Sequence, residues 1–492
     1  MTPFLLLLRA EWTKFRTVRG WTVGLVAAAL MVVLVALLAG ISSDQHGSPP
    51  VPIGPGGEPV TDSFYFVHQP LTGNGSITVS VSALDVRIAP GLEPGTVPWA
   101  KAGLLVKDGA RPGSPYAAIM VTGSHGVRMQ DNYVNDTAGI SGAVSTASPR
   151  WLRLDRSGDM ITGSESADGI RWTTVGTVHL AGLGTTVQAG LFVASPEAVQ
   201  GLGTVPTVAT AVFGNLRTAG GQLGDRWTGD QIGPESSSFS GYPRHTSGAF
   251  TQSGGSVTVT GAGDIAPAVR ASLGTAGTVA DLLTGTFPAL IAVIAVGALF
   301  ITTEYRNDLI HVTLAAAPSR SRVLAAKAIV LGAVTFVAGL AGAAVAIPLG
   351  EHLARANGVY LFPITFPTQL RIELGTAALL ATAAILALAA GTAFRRSAGA
   401  VTTVTMVIVL PYLLVAQIPF IPAAVMDWLT RLTPAAAFSV QQTLTRYHQV
   451  ASIYTPYNGY YPLPPWVGFA VLAGYATVAL AAAAVLLHRR DA

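Results

Sequence analysis

The run WTVGLVAAALMVVLVALLAG, Trp21–Gly40, is twenty residues without a single charge. At 1.5 Å per residue such a helix measures about 30 Å, the thickness of a bilayer's hydrocarbon core. It is longer than the roughly 7–15 apolar residues of a secretory signal and follows a long amphipathic stretch, so it reads as a retained helix. Five further runs of the same kind follow, at Gly285–Thr303, Ala328–Leu349, Leu374–Ala393, Gly399–Ile418 and Trp466–Leu487. The fold class expected is therefore a six-span α-helical membrane protein. Composition agrees: 50% of the 492 residues are hydrophobic and 11% charged, too few charges for a soluble enzyme of this length.

The charges that remain set an orientation. Arg9, Lys14, Arg16, Arg19, Arg306, Arg320, Arg322, Lys327, Arg395, Arg396, Arg489 and Arg490 flank one set of helix ends, against Arg355, Arg371, Arg431 and Arg446 at the other. Positive charge resists translocation, so both termini are expected in the cytoplasm, with residues 41–281 outside. Asp44–Asp281 holds 13 Lys and Arg against 18 Asp and Glu, and the rest 16 against 7. The basic balance thus reflects topology and points away from a nucleic-acid partner.

None of the six runs contains Asp, Glu, Lys, Arg or His, which argues against an ion-coupled carrier with a charged group at membrane depth. A P-loop is excluded too. Its lysine must follow a glycine, and none of Lys14, Lys101, Lys107 and Lys327 does. Cysteine is absent, which rules out disulfides and thiolate metal sites.

Two segments outside the spans are patterned as helices. In the first, Phe4, Leu5, Leu8, Trp12 and Phe15 form one stripe with Arg9, Lys14, Arg16 and Arg19 mostly off it. That suits a helix lying among lipid headgroups. In the second, TEYRNDLIHVTLAAAPSRSRVLAAK (Thr303–Lys327), Leu309, Val312, Leu314 and Ala315 can make a short apolar face before Pro318.

With RAEWTKFRTVRGW (Arg9–Trp21) and the six-span layout, this segment closely resembles the permease subunits of bacterial type-2 ABC exporters. The likeness covers everything outside the insert. It implies an elbow helix bearing Trp12, Lys14, Phe15, Arg16 and Arg19. It also implies a coupling element that begins at Glu304, Tyr305 and Arg306, includes Leu309, and returns through Pro318, Arg320, Arg322 and Lys327. The implied location is a bacterial plasma membrane, and the implied partners are a separate ATPase subunit holding ATP and Mg, with no cofactor in this chain, and a second permease copy.

The expected domains are residues 1–40 (elbow and first span), 41–60 (linker), 61–216 (β-sandwich), 217–281 (further strands or stalk) and 282–492 (spans two to six, with the loop 303–327). In the insert, short alternating segments separated by Gly, Asp and Asn read as antiparallel strands: Ser76–Val81, Ala102–Val106, Ala117–Val121, Gly126–Gln130, Trp151–Leu154 and Val187–Val193. Asp168-Gly169 reads as a hairpin turn. PWAKAGLLVKDG, WLRLDRSGD and SADGIRWTTVG resemble the concanavalin/laminin-G-like jelly roll. Trp99 and Trp172 are candidate sugar contacts. Glu165 and Asp168 flank a turn and are expected to be solvated, which leaves no paired carboxylates for glycoside hydrolysis, and no metal spacing is visible. Two functions follow: a non-enzymatic export permease, or a membrane-anchored receptor whose sandwich binds glycan or protein.

Overall fold

The computed structural model describes every residue except 1–2, 43, 47–49, 90, 202, 225, 234–247, 275, 308, 310–312, 314–318, 418–422 and 491–492. The protein forms a helical unit (Met1–Ser48, Thr275–Thr445 and Tyr454–Ala492) and a β-rich unit (Pro49–Gly274 with Arg446–Ile453).

In the helical unit, a 15-residue N-terminal helix, Pro3–Thr17, precedes six helices long and apolar enough to cross a membrane. These spans, one to six, are Arg19–Ser42, Thr286–Arg306, Arg320–Ala356, Phe366–Phe394, Ser397–Gln417 and Pro465–Arg490. Lipid tails are as apolar as leucine, so such helices associate through close backbone approach at small residues. A Cβ on Gly297 would stand 2.4 Å from the Ala384 carbonyl oxygen, and one on Gly391 2.7 Å from Ile301 Cγ2, so spans two and four meet at glycine. Gly339 abuts Ala377 and Gly342 abuts Ala29 in the same way.

Several spans outrun their apolar runs, the second and third among them. The second continues to Arg306 and the third begins at Arg320, which places Glu304 and Lys327 inside helices. The expectation that the spans hold no charged group is therefore corrected. A charge buried inside a helix bundle needs a partner, and both of these have one.

In the β-rich unit a 14-stranded antiparallel sheet dominates. Its hydrogen-bonded path runs Thr173–His179, Met160–Ser166, Arg150–Ser157, Phe64–Ile88, Thr186–Ala194, Lys101–Lys107, Tyr116–Thr122, Val127–Asp131 and Asn135–Ala138. Most strands contain the expected segments, while Ser76–Val81 proves to be part of a 25-residue strand. In Arg150–Ser157 the expected alternation holds, with Leu152 and Leu154 buried and Trp151, Arg153 and Asp155 half-buried.

Lys101–Lys107 and Tyr116–Thr122 are buried at every position, because both faces of these strands are covered. Period-two alternation then splits them. Ala102, Leu104 and Val106 join one apolar cluster, and Leu105 with Tyr116 and Met120 joins another that includes Phe64, Phe66 and Phe192. Lys101 and Lys107 share the parity of Leu105 and must be neutralised. Lys101 Nζ donates to Asp264 Oδ1 at 2.6 Å, and Lys107 Nζ to Asp62 Oδ2 at 2.7 Å, an oxygen that Tyr133 also reaches at 2.6 Å.

The expected boundary at 216 falls inside the strand Thr207–Leu223, and Thr228–Ile232, Gly248–Ser253 and Ser256–Gly261 belong to the same sheet. The run 217–281 thus adds further strands to the sheet, since GSVTVTG alternates as a strand and pairs with Thr207–Leu223 from Ala209 to Gly214.

Candidate functional site

The N-terminal helix brings Glu11, Lys14 and Phe15 to one face, by their spacing of three and four residues. Against this face lie Phe300 and Glu304 of the second span and Lys327 of the third, so the ionic groups form a closed cluster. Lys327 Nζ lies 2.8 Å from Glu11 Oε2 and 2.6 Å from Glu304 Oε1. Lys14 Nζ bridges the same two carboxylates at 3.0 and 3.1 Å and reaches Thr313 Oγ1 at 3.3 Å. Lys327 is fully buried, Glu11 and Glu304 nearly so, and Lys14 partly exposed.

Two ammonium and two carboxylate groups sum to zero, which is what permits their burial: an unpaired ion there would cost several kcal/mol, of order 3–5 when one partner is removed. Burial acts to lower the pKa of Lys14, but the charges of Glu11 and Glu304 outweigh it and leave the group above its usual value. Phe15, Trp21 and Phe300 pack together beside the cluster. Phe300 lies edge-on to Trp21 at 4.9 Å and to Phe15 at 5.7 Å, and Lys327 Nζ stands 4.9 Å from the Phe300 ring. Glu304 Oε2 is buried without a hydrogen-bond partner among the described residues.

The segment between spans two and three therefore leaves and re-enters the bundle beside one ionic lock. Around it stand other residues singled out in the sequence. Arg395, in the turn after span four, lies over the Tyr305 ring at 5.2 Å. Arg320 Nη1 donates to the carbonyls of Leu487 and His488 at 2.7 and 3.2 Å, which ties span three to the end of span six. Arg306 and Arg322 are exposed, Leu309 is half exposed, and Pro318, Val312, Leu314 and Ala315 lie outside the described residues.

The elbow expectation needs correction at Phe15, which is buried against Phe300 and does not share an exposed stripe with Trp12 and Leu5. Trp12, Arg16 and Arg19 are exposed. Glu11 escaped the sequence reading. Its signal was a lone acid among basic residues, three positions before Lys14.

In the β-rich unit the two tryptophans are not brought into one site. Trp99 is buried, stacked on His125 at 4.1 Å and approached by Arg128 at 5.6 Å. Trp172 is half-buried, with Arg153 at 5.9 Å from its ring. Glu165, expected to be solvated, is 2% exposed and accepts the Ile140 N–H at 2.7 Å, and burial raises its pKa. Asp168 does sit at its turn, where the Arg171 and Ile170 N–H groups hold its carboxyl well below the usual range. Arg446–Ile453, from the stretch before span six, belongs to this unit: His448 Nε2 meets Asp136 Oδ2 at 2.9 Å and Gln449 donates to the Val134 carbonyl. Among the described residues no group of three or more His, Asp or Glu is placed to hold a metal ion.

No family profile matches the sequence, and no curated protein does. Solved structures similar to part of it include a functionally unknown protein from Saccharomyces cerevisiae, at 14% identity over 33% of this protein and 76% of that one, with a TM-score of 0.23. Scytalido-glutamic peptidase with a peptide-based transition-state analog is 8% identical over 40% of this protein and 98% of its own length, with a TM-score of 0.26. The alginate lyase from Klebsiella pneumoniae is 10% identical over 31% and 61%, with a TM-score of 0.18. Likenesses this slight assign no activity.

Proposed function

We propose that the protein is the membrane-spanning permease subunit of an ATP-driven exporter, with ATP and Mg bound on a separate ATPase and a second permease copy completing the pathway. In this reading both termini are cytoplasmic. The β-rich unit, a jelly roll of the concanavalin/laminin-G-like kind, lies outside the membrane between spans one and two, where it guides or caps the substrate.

The observation that carries the reading is the buried cluster of Glu11, Lys14, Glu304 and Lys327. An ATPase pressing on the segment between spans two and three acts on a loop whose two roots, Glu304 and Lys327, are bonded to each other and to the N-terminal helix. Displacing one root without the other would strand buried charge. The least costly response is for spans two and three and the elbow to move as one body.

The test is purification of the tagged protein from its native membrane, with recovery of a Walker-A ATPase measured for the parent, Arg306→Ala and Glu304→Gln. Recovery by the parent, with loss in Arg306→Ala, supports the reading. If no ATPase is recovered and the protein instead retains an envelope glycan or protein, the membrane-anchored receptor takes its place.

A further inference from the structure

Spans four, five and six leave an apolar groove of about 670 Å³ between them, lined by residues that include Ala390, Phe394, Thr403, Val407, Gly474 and Val478. Tyr475, which also lines it, spends its hydroxyl on the Leu432 carbonyl at 2.9 Å. The wall therefore offers a guest almost nothing but hydrocarbon, in a volume within the roughly 300–1,000 Å³ of ligand-binding sites.

One end of this groove differs from the rest. Phe394 is the last residue of span four, and Arg395 and Arg396 follow it directly in the turn to span five. Arg395 takes a left-handed backbone conformation, φ 57°, and is engaged with Tyr305. Arg396 is exposed, with its backbone carbonyl accepting from Ala400 N–H at 3.2 Å. On the opposite wall Ala482 stands seven residues before Arg489, about 10 Å along span six. A long apolar slot whose lining reaches Phe394, with Arg395 and Arg396 next in the chain, has the chemistry of a phospholipid reversed: an acyl tail fits the slot, and a phosphate fits the arginines.

We infer that this groove is a binding site for an anionic phospholipid, with an acyl tail among spans four to six and the headgroup phosphate on Arg396. The inference rests on the six helices lying in a bilayer and does not depend on the export reading. Charge complementarity separates this occupant from a zwitterionic lipid, whose headgroup amine would face the same arginines. It also separates it from a second copy of this protein, whose own basic end would meet them.

The experiment is native mass spectrometry of the delipidated full-length protein, titrated with dioleoylphosphatidylglycerol or dioleoylphosphatidylcholine. The variants are Arg396→Ala, Ala390→Trp to fill the slot, and Arg322→Ala as a loss of exposed positive charge elsewhere. Selective retention of phosphatidylglycerol is expected, reduced at least about five-fold, close to 1 kcal/mol, by Arg396→Ala and by Ala390→Trp and unchanged in Arg322→Ala. Equal retention of both lipids overturns the inference, as does an equal effect of Arg396→Ala and Arg322→Ala. It also fails if Ala390→Trp leaves phosphatidylglycerol bound while converting a dimer to a monomer, since a second copy then covers the groove.

Discussion

Replacing Lys327 with methionine keeps the length and apolar stem of the side chain while deleting one ammonium. In the parent, that ammonium is fully buried between Glu11 and Glu304, at 2.8 and 2.6 Å, with the Phe300 ring 4.9 Å away. Without it, two buried carboxylates share only Lys14, which is partly exposed. Removing one partner of a buried ion pair costs about 3–5 kcal/mol, and this change should fall in that range. Glu304→Gln in the Lys327→Met background removes one of the stranded charges. It should recover about 1–3 kcal/mol, which appears as a coupling energy in the double-mutant cycle. The assay is SDS-driven unfolding in mixed micelles, followed by Trp fluorescence, to which Trp21 contributes from the aromatic group beside the cluster. A Lys327→Met variant within about 1 kcal/mol of the parent, as for an exposed pair, would refute the idea that these charges act as a buried lock.

Three further outcomes are expected. The pKa of Lys14 is raised in the folded protein, so its stabilising contribution is complete below the unfolded value of 10.5 and is lost as pH climbs through the folded value; unfolding midpoints of the parent and Lys14→Met should differ by a constant amount from about pH 6 to about pH 9 and converge only in stronger base. The pKa of Glu165 is raised by burial, so the β-rich unit loses stability as pH rises from 4.5 through the folded value, and Glu165→Gln, which keeps an acceptor for Ile140 N–H, should flatten the dependence of its melting temperature on pH. Gly297→Ala places a methyl 2.4 Å from the Ala384 carbonyl oxygen and should cost about 1–3 kcal/mol in SDS unfolding, whereas Gly474→Ala should be neutral.

Length and hydrophobicity made the six spans legible, since a charge-free window of about 20 residues has few other readings. The strands were legible where one face is wet, as in Arg150–Ser157, and where turn residues bound them. Phe64–Ile88 was not, because Gly73 and Gly75 break it in sequence, and the strand changes partners there: Thr186–Ala194 pairs with it up to Thr72, and Arg150–Ser157 takes over from Gly75. The packing of His448 and Gln449 among residues of the β-rich unit left no local signal either, since their partners Asp136 and Val134 lie more than 300 positions earlier.

The ionic cluster escaped for a different reason. An apolar window ends at the first charge, and the windows here ended at Thr303 and Ala328, one residue short of Glu304 and Lys327. Those two residues are buried, where a charge is costly unless it is paired, and pairing there says most about which segments move together. Glu11 completes the pattern. It is the only acid in the first 43 residues, and it is buried beside Lys327, the only lysine that follows Lys107 in the sequence. With four lysines in all, two meeting the same pair of glutamates from segments about 300 residues apart is a connection that periodicity could not supply. The charges that bound apolar runs carry that information, because each must find an opposite charge elsewhere if its helix is to be buried, and Glu11, Lys14, Glu304 and Lys327 are the set that neutralises itself.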